Sequence, residues 1–274
     1  MASLKVTLIN VGWGDSILLE SEDGGIPHYG LIDSNDTSTL RSSYIFLRRY
    51  FEKADIDIAS SKPIFQFVLL SHAHTDHGQG LKALMKEFGT EYFWYPKTLR
   101  QGMLGNLLRY ANRSTNVGWH EALHTSKILP NFGPAQMSIL WPQDQDNGIS
   151  NNENDNSVVL ILRLDRVSFV MTGDAEKDVW LQIAPSIPRS TRFFKVPHHG
   201  SVNGTFDNNT AVWLNHCPRS AKLGVSSHVR PFEHPDQEVI DLFDNNNRRY
   251  YRTDRHYHLT FETNGRRTNV MYWH

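Results

Sequence analysis

Hydrophobic and polar positions alternate through Leu4, Val6 and Leu8 on the way to Val11, the period of a half-buried strand. A Gly-Trp-Gly turn then leads into Ser16-Ile17-Leu18-Leu19-Glu20, and Gly30-Leu31-Ile32-Asp33 ends the next run, so the chain opens as a β-meander. Between Thr39 and Lys53 the spacing changes. Leu40, Tyr44, Leu47 and Phe51 recur at helical intervals, with Arg41, Arg48, Arg49 and Lys53 around the axis, which predicts an amphipathic surface helix. Phe65 to Ser71 is a continuous apolar run of strand length that feeds a helix from Leu81 to Phe88. A strand near Tyr92 to Tyr95 and a helix around Leu99 to Tyr110 follow, and Asp144 to Asn156, dense in Asn, Asp and Gly, reads as a loop. Beyond it Val158 to Leu164 and Val167 to Met171 pair across Asp165-Arg166, Ala175 to Ile183 is helical, and Phe193 to Val196 is a strand. Helical patterns recur around Val212 and from Val239 to Phe243. The chain closes in strands near Tyr250, Leu259 to Phe261 and Val270 to Tyr272, with Asn264-Gly265 as a hairpin turn. Strand-rich halves with peripheral helices flank the central loop, which predicts an α/β protein in four layers, helix-sheet-sheet-helix.

At 274 residues, 39% of them hydrophobic, the chain can bury a sizeable core without a covalent staple, and one domain over residues 1–274 is expected. Its single cysteine, Cys217, cannot form an internal disulfide. The apolar runs fall far short of the roughly 20 residues that span a bilayer. No basic leader with an apolar stretch and a cleavage site precedes Val6, so a soluble, cytoplasmic protein without a membrane partner is expected. With 28 Lys and Arg against 29 Asp and Glu the net charge is −1, so any anion-binding surface must be local.

The candidate chemistry begins where the apolar strand ends. His72-Ala73-His74-Thr75-Asp76-His77 places four ligand-type side chains in six residues. In an extended segment His72 and His74 project to one face, and a turn into a helix swings Asp76 and His77 toward a neighbouring point, so two adjacent metals can share one short loop. Imidazole and carboxylate suit zinc, manganese or iron, and the lack of thiolates argues against a structural Cys-type zinc site. A solvated His-rich loop is the alternative; its position at the end of a buried strand counts against it. Thr172-Gly173-Asp174 follows Phe169-Val170-Met171 in the same way, and Pro197-His198-His199-Gly200-Ser201 follows Phe193-Phe194-Lys195-Val196. Alone, a Gly-Asp reads as a turn and a His-His as surface or core. Three such clusters ending three buried strands point to one metal site.

These motifs resemble the metallo-β-lactamase fold, whose signature is His-x-His-x-Asp-His. Asn10-Val11-Gly12-Trp13-Gly14-Asp15-Ser16, Leu31-Ile32-Asp33, Asn156-Ser157-Val158-Val159-Leu160, Thr172-Gly173-Asp174 and Lys195-Val196-Pro197-His198-His199-Gly200-Ser201 stand in the order seen in the hydrolase domain of ComEC-type competence (DNA-uptake) proteins and their stand-alone relatives. His234-Pro235 is similar to that group's C-terminal Gly-His-Pro element, and the resemblance runs from about Val6 to Asp254. It implies a four-layer αββα fold, with His72 and His74 on one metal, Asp76 and His77 on the other, Asp174 bridging, and His198 and His234 completing the two shells. His198 is preferred to His199 because it comes first after the strand. Asp33 is expected either to hold a ligand histidine through a carboxylate–imidazole hydrogen bond or to cap its strand. The chain departs from the group at Asn10 and Trp13, where Asp and Gln are usual, and at Glu233 in place of Gly, which leaves a capping role open for His234. The group's membrane channel has no counterpart here, so the hydrolytic chemistry is implied and the transport is not.

The resemblance implies a hydrolase carrying two divalent metal ions, zinc or alternatively manganese, which lower the pKa of a shared water to roughly 7 and neutralise charge developing on the substrate. Asp76 is the expected orienter of that water or proton acceptor, and Lys195 the residue expected to meet a phosphate; Ser201 and Asn203 read as ordinary surface. A phosphodiester, including DNA or RNA, is the expected substrate. Hydrolysis of a lactam, lactone or thioester is a second class and a non-catalytic binding module a third, against which the full set of ligands counts. Arg248, Arg249, Arg252, Arg255, Arg266 and Arg267, interleaved with Tyr250, Tyr251 and Tyr257, read as a track for a nucleic-acid backbone or as a charged strand edge. Arg100, Arg109 and Arg113 with Trp94, Trp119 and Tyr110 form a second rim of the same kind.

Overall fold

The alternation at the start of the chain builds β1 (Ser3–Leu8), which turns Leu4, Val6 and Leu8 to one buried face and pairs antiparallel with β2 (Ile17–Asp23). The computed structural model describes residues 1–144, 149–227, 230 and 232–273. After β3 (Ile26–Ile32) and helix α1 (Ser42–Lys53) come β4 (Phe65–Leu69), the short helix α2 (Thr75–Gly78), α3 (Leu81–Phe88), β5 (Thr90–Pro96), α4 (Gln101–Ala111), β6 (Val117–Leu123) and β7 (Gln136–Trp141). The second half adds β8 (Val159–Leu164), β9 (Val167–Met171), α5 (Lys177–Ile183), β10 (Thr191–Lys195), α6 (Val202–Thr205), the small hairpin β11 (Phe206–Asp207) and β12 (Thr210–Ala211), and β13 (Lys222–Val225). It closes with α7 (Gln237–Asn245), β14 (Tyr250–Arg252), α8 (Thr253–His256), β15 (His258–Thr263) and β16 (Thr268–Trp273).

Two sheets face each other. One has the order β16-β15-β1-β2-β3-β4-β5-β6 and the other β14-β13-β10-β9-β8-β7. Leu4, Val6, Leu8, Phe67 and Leu69 of the first meet Leu160, Leu162, Phe169 and Phe193 of the second in the inner core. Val68, of opposite parity to Phe67 and Leu69, faces outward, and so does Phe65 beyond the register shift at Gln66; both pack under Leu47 and Phe51 of α1, Leu84 and Phe88 of α3 and Leu104 of α4. Val159, Ile161, Val170 and Phe194 pack under Val179 and Trp180 of α5 and Val239 and Phe243 of α7. Burial on both faces is why Phe67 to Leu70 and Val158 to Leu162 are unbroken apolar runs. The result is the four-layer helix-sheet-sheet-helix arrangement that the pattern predicts.

The strands β3, β4, β5 and β6 are mutually parallel, as are β9, β10, β13 and β14. Parallel order brings the exits of β3, β4, β9 and β10 to one edge of the sandwich, where ligands gather in α/β proteins. Two expectations change, and two strands are added. The segment at Val212 is not helical; it leaves β12 in a turn, with Val212 and Trp213 packed into the core under α5 and α7. The strands β6 and β7, which carry no clear period, each lie at the edge of a sheet, and Trp119 of β6 is largely exposed. The expected loop from Asp144 to Asn156 ends in a buried 3-10 turn, Glu153–Asn156, while its residues 145–148 lie outside the described residues. Cys217 is a buried free thiol, and among the described residues no helix is long and apolar enough to cross a membrane.

Candidate metal centre

Leu70 and Ser71 carry the chain out of β4 in extended form, so His72 and His74 emerge on one side and α2 turns Asp76 and His77 back toward them. His72 Nε2 lies 3.1 Å from His74 Nδ1. His77 Nε2 lies 3.2 Å from Asp174 Oδ2 and 3.7 Å from Asp76 Oδ2. Asp174, at the exit of β9, also stands 3.8 Å from His72 Nε2 and 3.3 Å from His199 Nε2. The sharp turn after β10 that delivers the two histidines has both in the left-handed region, His198 at φ 46° and His199 at φ 55°. Non-glycine residues adopt that conformation at a cost, and functional loops are where it persists.

The two histidines of this turn part company. His199 is buried, its Nδ1 2.9 Å from the Ser226 carbonyl, and its Nε2 is directed at Asp174. His198 is partly exposed, with Nδ1 3.0 Å from Glu176 Oε1 and its ring 5.8 Å from that of His234. The tightest four-residue group is Asp15, His77, Asp174 and His199, whose candidate ligand atoms all lie within 4.8 Å of one another. Of the seven ligands expected from sequence, His72, His74, Asp76, His77 and Asp174 form one connected cluster; His198 and His234 stand together beside it, and His234 Nδ1 lies 3.2 Å from Asp236. Asp15 and His199 are the two members that sequence reasoning gave no leading place, although both lie inside quoted motifs.

A second ring of contacts fixes these groups. Asp33, at the end of β3, accepts from His77 Nδ1 at 2.8 Å, the carboxylate–imidazole bond expected of it, and takes the Ser71 backbone N–H at 2.7 Å. Glu153 is buried and accepts the Ala73 N–H at 2.8 Å. Gly14 has φ 77°, and a Cβ there would stand 2.0 Å from the Asp76 carbonyl oxygen, so only glycine lets the Gly-Trp-Gly turn press against the ligand loop.

Lys195, expected to meet phosphate, instead lies wholly buried beneath the cluster, its ammonium 2.8 Å from Asp15 Oδ2 and 3.9 Å from Asp174 Oδ1. It cannot reach a substrate from there; it balances the carboxylates. The basic C-terminal cluster is also smaller than its sequence suggests. Arg248 is buried, donating to the carbonyls of Leu214, Cys217 and Pro218, and Arg252 is paired with Asp254 at 2.7 Å. Trp94, read as part of a second rim, is sealed in the inner core against Phe67.

Electrostatics follow from burial. Desolvation, then the neighbouring His77, holds His72 well below the usual imidazole range, so it is neutral with a lone pair to give. At His77 burial works in the same direction, but Asp174, Asp76 and Asp33 outweigh it and raise its pKa well above normal. Burial alone would raise Asp174; His199 and His77 overcome it and hold the carboxyl well below its ordinary range. At Lys195 burial opposes the charge and Asp15 and Asp174 restore it.

The donor set fits divalent metal. It consists of imidazole nitrogen and carboxylate oxygen without thiolate, and two imidazoles, of His77 and His199, converge on one carboxylate oxygen of Asp174, all three residues being buried. His72 and His74 likewise turn ring nitrogens toward one point.

No family model matches the chain. Its sequence is 26% identical over 260 residues to ComE operon protein 3 of Bacillus subtilis, an alignment covering 91% of this chain and 32% of that protein, so the chain spans about a third of its relative's length. Among solved structures it is similar to the metallo-β-lactamase fold protein YhfI of Bacillus subtilis, with a TM-score of 0.54 and 12% identity over 95% of this chain and 100% of that one. It is equally similar to Igni18, a metallo hydrolase of Ignicoccus hospitalis, with a TM-score of 0.53 and 12% identity over 99% and 100% of the two chains. The chain is thus a metallo-β-lactamase-fold protein, and its similarity to ComE operon protein 3 agrees with the ComEC-type order of its motifs.

Proposed function

We propose that this protein is a metal-dependent phosphodiesterase acting on nucleic acid. The observation that carries the reading is the convergence of His72, His74, Asp76, His77, Asp174 and His199 from three separate loops, after β4, β9 and β10, on one buried cluster. His72 and His74, with His198 beside them, would hold one divalent ion, and Asp76, His77 and His199, with His234 nearby, the second, Asp174 lying between. Such a pair supplies an activated water at neutral pH and a positive counterpart for the phosphate oxygens. The protein's own groups do the rest. Asp33 fixes His77 in the tautomer that leaves Nε2 facing the cluster. Asp76, the carboxylate of the cluster most open to solvent, is placed to orient a water and accept its proton. Lys195 and Asp15 neutralise each other below the site and keep the carboxylate array ionised. The order of the motifs, which resembles the hydrolase domain of DNA-uptake proteins, favours a phosphodiester over a carboxylic ester.

Protein loaded with zinc or manganese is expected to hydrolyse bis-p-nitrophenyl phosphate and a DNA or RNA oligonucleotide, and to leave nitrocefin intact. Chelation, His74→Ala or Asp174→Ala should each abolish the activity; turnover persisting in any of the three, or turnover of nitrocefin alone, overturns the reading.

A further inference from the structure

The chain as a whole is nearly neutral, but its charge is unevenly spread: residues 92–120 hold no Asp or Glu and carry Lys97, Arg100, Arg109 and Arg113. Helix α4 falls within this stretch. Toward its C-terminal end Asn106, Arg109, Tyr110 and Arg113 line a surface cleft of about 600 Å³ together with Lys82 of α3. No acidic residue lines the cleft, and among the described residues none of its three exposed cations has a carboxylate partner. Arg109 donates to the Asn106 carbonyl oxygen, and Lys82 stands 5.8 Å from the centre of the Tyr110 ring; neither contact neutralises a charge. The Tyr110 hydroxyl is buried without a hydrogen-bond partner among the described residues, and with Asn106 Oδ1 taken by Arg109 the amide has its N–H groups left to give. The walls therefore offer positive charge and hydrogen-bond donors. A cation in the last turn of a helix is favoured by the helix dipole, which accounts for Arg109; Lys82, on the neighbouring helix, adds like charge that only an anion in the cleft would offset.

The other end of α4 abuts the candidate metal centre. A Cβ on Gly78, the residue after His77, would collide with Met103 of α4, and Thr98, just before the helix, donates to Glu153, the carboxylate that holds Ala73. The charge of Arg100, exposed at the head of the helix, acts on His74. From Gln101 to Arg109 the helix rises about 12 Å, a span that a nucleic-acid strand covers in about four phosphates at duplex spacing. We infer that Lys82, Arg109 and Arg113 form a second binding site, for the sugar-phosphate backbone of the strand whose scissile diester lies at the metal centre, which makes a polynucleotide the substrate class rather than a mononucleotide or a small phosphate ester. This rests on the phosphodiesterase reading above. Contacts of this kind position the strand and carry no base preference, so the site reads charge and length, not sequence.

The test is binding to the metal-loaded protein, read by fluorescence anisotropy over a range of salt. The probes are hydrolysis-resistant phosphorothioates: a single strand of mixed sequence long enough to pass both sites, and a dinucleotide. Lys82→Gln, Arg109→Gln and Arg113→Gln combined should weaken binding of the long strand about tenfold or more and lower the slope of log affinity against log salt by about 2. The dinucleotide should bind both proteins alike. The same loss of charge at exposed Arg166, Arg189 and Arg219, which precede β9, β10 and β13 at the edge opposite the metal centre, should leave affinity and slope near wild type. An unchanged slope in the first variant, an equal loss in the second, or an equal loss for the dinucleotide overturns the second site. Turnover of bis-p-nitrophenyl phosphate, too small to reach the cleft, should be the same in wild type and in both variants. Because strand binding is read without turnover, a protein that binds strands through this cleft yet cleaves no phosphodiester would sink the catalytic reading and leave the second site standing.

Discussion

Glu153 reaches across from the 3-10 turn before β8 and accepts the backbone N–H of Ala73 at 2.8 Å. Ala73 is the residue between His72 and His74, so this one carboxylate fixes the strand exit that aims both imidazoles. The other carboxylate oxygen takes the hydroxyl of Thr98 and the amide of Asn156, so Glu153 ties the loops after β4, β5 and β7 into one wall. Glu153→Ala leaves a buried N–H without its acceptor, at a cost of about 1–3 kcal/mol. The larger effect falls on the histidines, because partners of this kind change metal affinity about 10- to 100-fold. Competition against a chromophoric chelator should show that loss. Glu153→Gln, which keeps an acceptor, should recover part of it while unfolding of the metal-free protein returns close to wild type.

The Lys195–Asp15 pair is the second place where one substitution should have a large effect. Both side chains are buried, 2.8 Å apart, and among the described residues the ammonium's further contacts are the carbonyls of Gly173 and Val196 and the Asp174 carboxylate. Removing one member of such a pair strands the other charge and costs about 3–5 kcal/mol. Lys195→Met should lower the urea midpoint of the metal-free protein accordingly. Lys195→Met combined with Asp15→Leu should recover much of the loss, since a buried pair replaced by apolar groups of similar volume is often neutral. A midpoint unchanged in Lys195→Met would refute the role assigned to the lysine.

How far the sequence discloses this arrangement depends on what each residue's neighbours are. The apolar runs at Phe65 to Leu70 and Val158 to Leu164 mark strands buried on both faces, and the helical spacing of Leu81, Leu84, Met85 and Phe88 marks α3, because those signals are local. The ligand loop from His72 to His77 is legible for the same reason: four candidates sit within six residues. What is not local is not legible. Sequence order favours His198, yet the paired left-handed residues turn His199 inward onto Asp174 and leave His198 to Glu176, and no spacing rule reports a backbone reversal of that kind. Lys195 has the look of a phosphate contact until the fold places Asp15, 180 residues earlier in the chain, beneath it. Arg248 reads as a surface cation, and only packing against the Leu214 to Pro218 turn shows it spent on carbonyls. The edge strands β6 and β7 escape detection because one-sided, partly polar edges carry neither period strongly.

His258 gives the fold a pH dependence separate from the metal centre. Its Nδ1 accepts the backbone N–H of Asn10 at 3.0 Å, and the ring packs edge-on against Phe46 at 4.6 Å. Burial of the ring lowers its pKa to about 4. The unfolded chain binds that proton near pH 6.5, while the folded protein resists it until about pH 4, so the unfolded state holds more protons across this window. Stability from this group is therefore complete above pH 6.5 and is lost as the pH falls toward 4. The full shift would correspond to about 3 kcal/mol, and because the ring is partly exposed, solvent screening reduces the expected contribution to about 1 kcal/mol. His258→Asn keeps an acceptor for Asn10 and removes the titration. Urea unfolding of both proteins at intervals from pH 7 to pH 4 should give curves whose difference changes by about that amount across the window, with wild type losing more. Parallel curves would mean that the Asn10 bond survives protonation and that His258 titrates alike in both states.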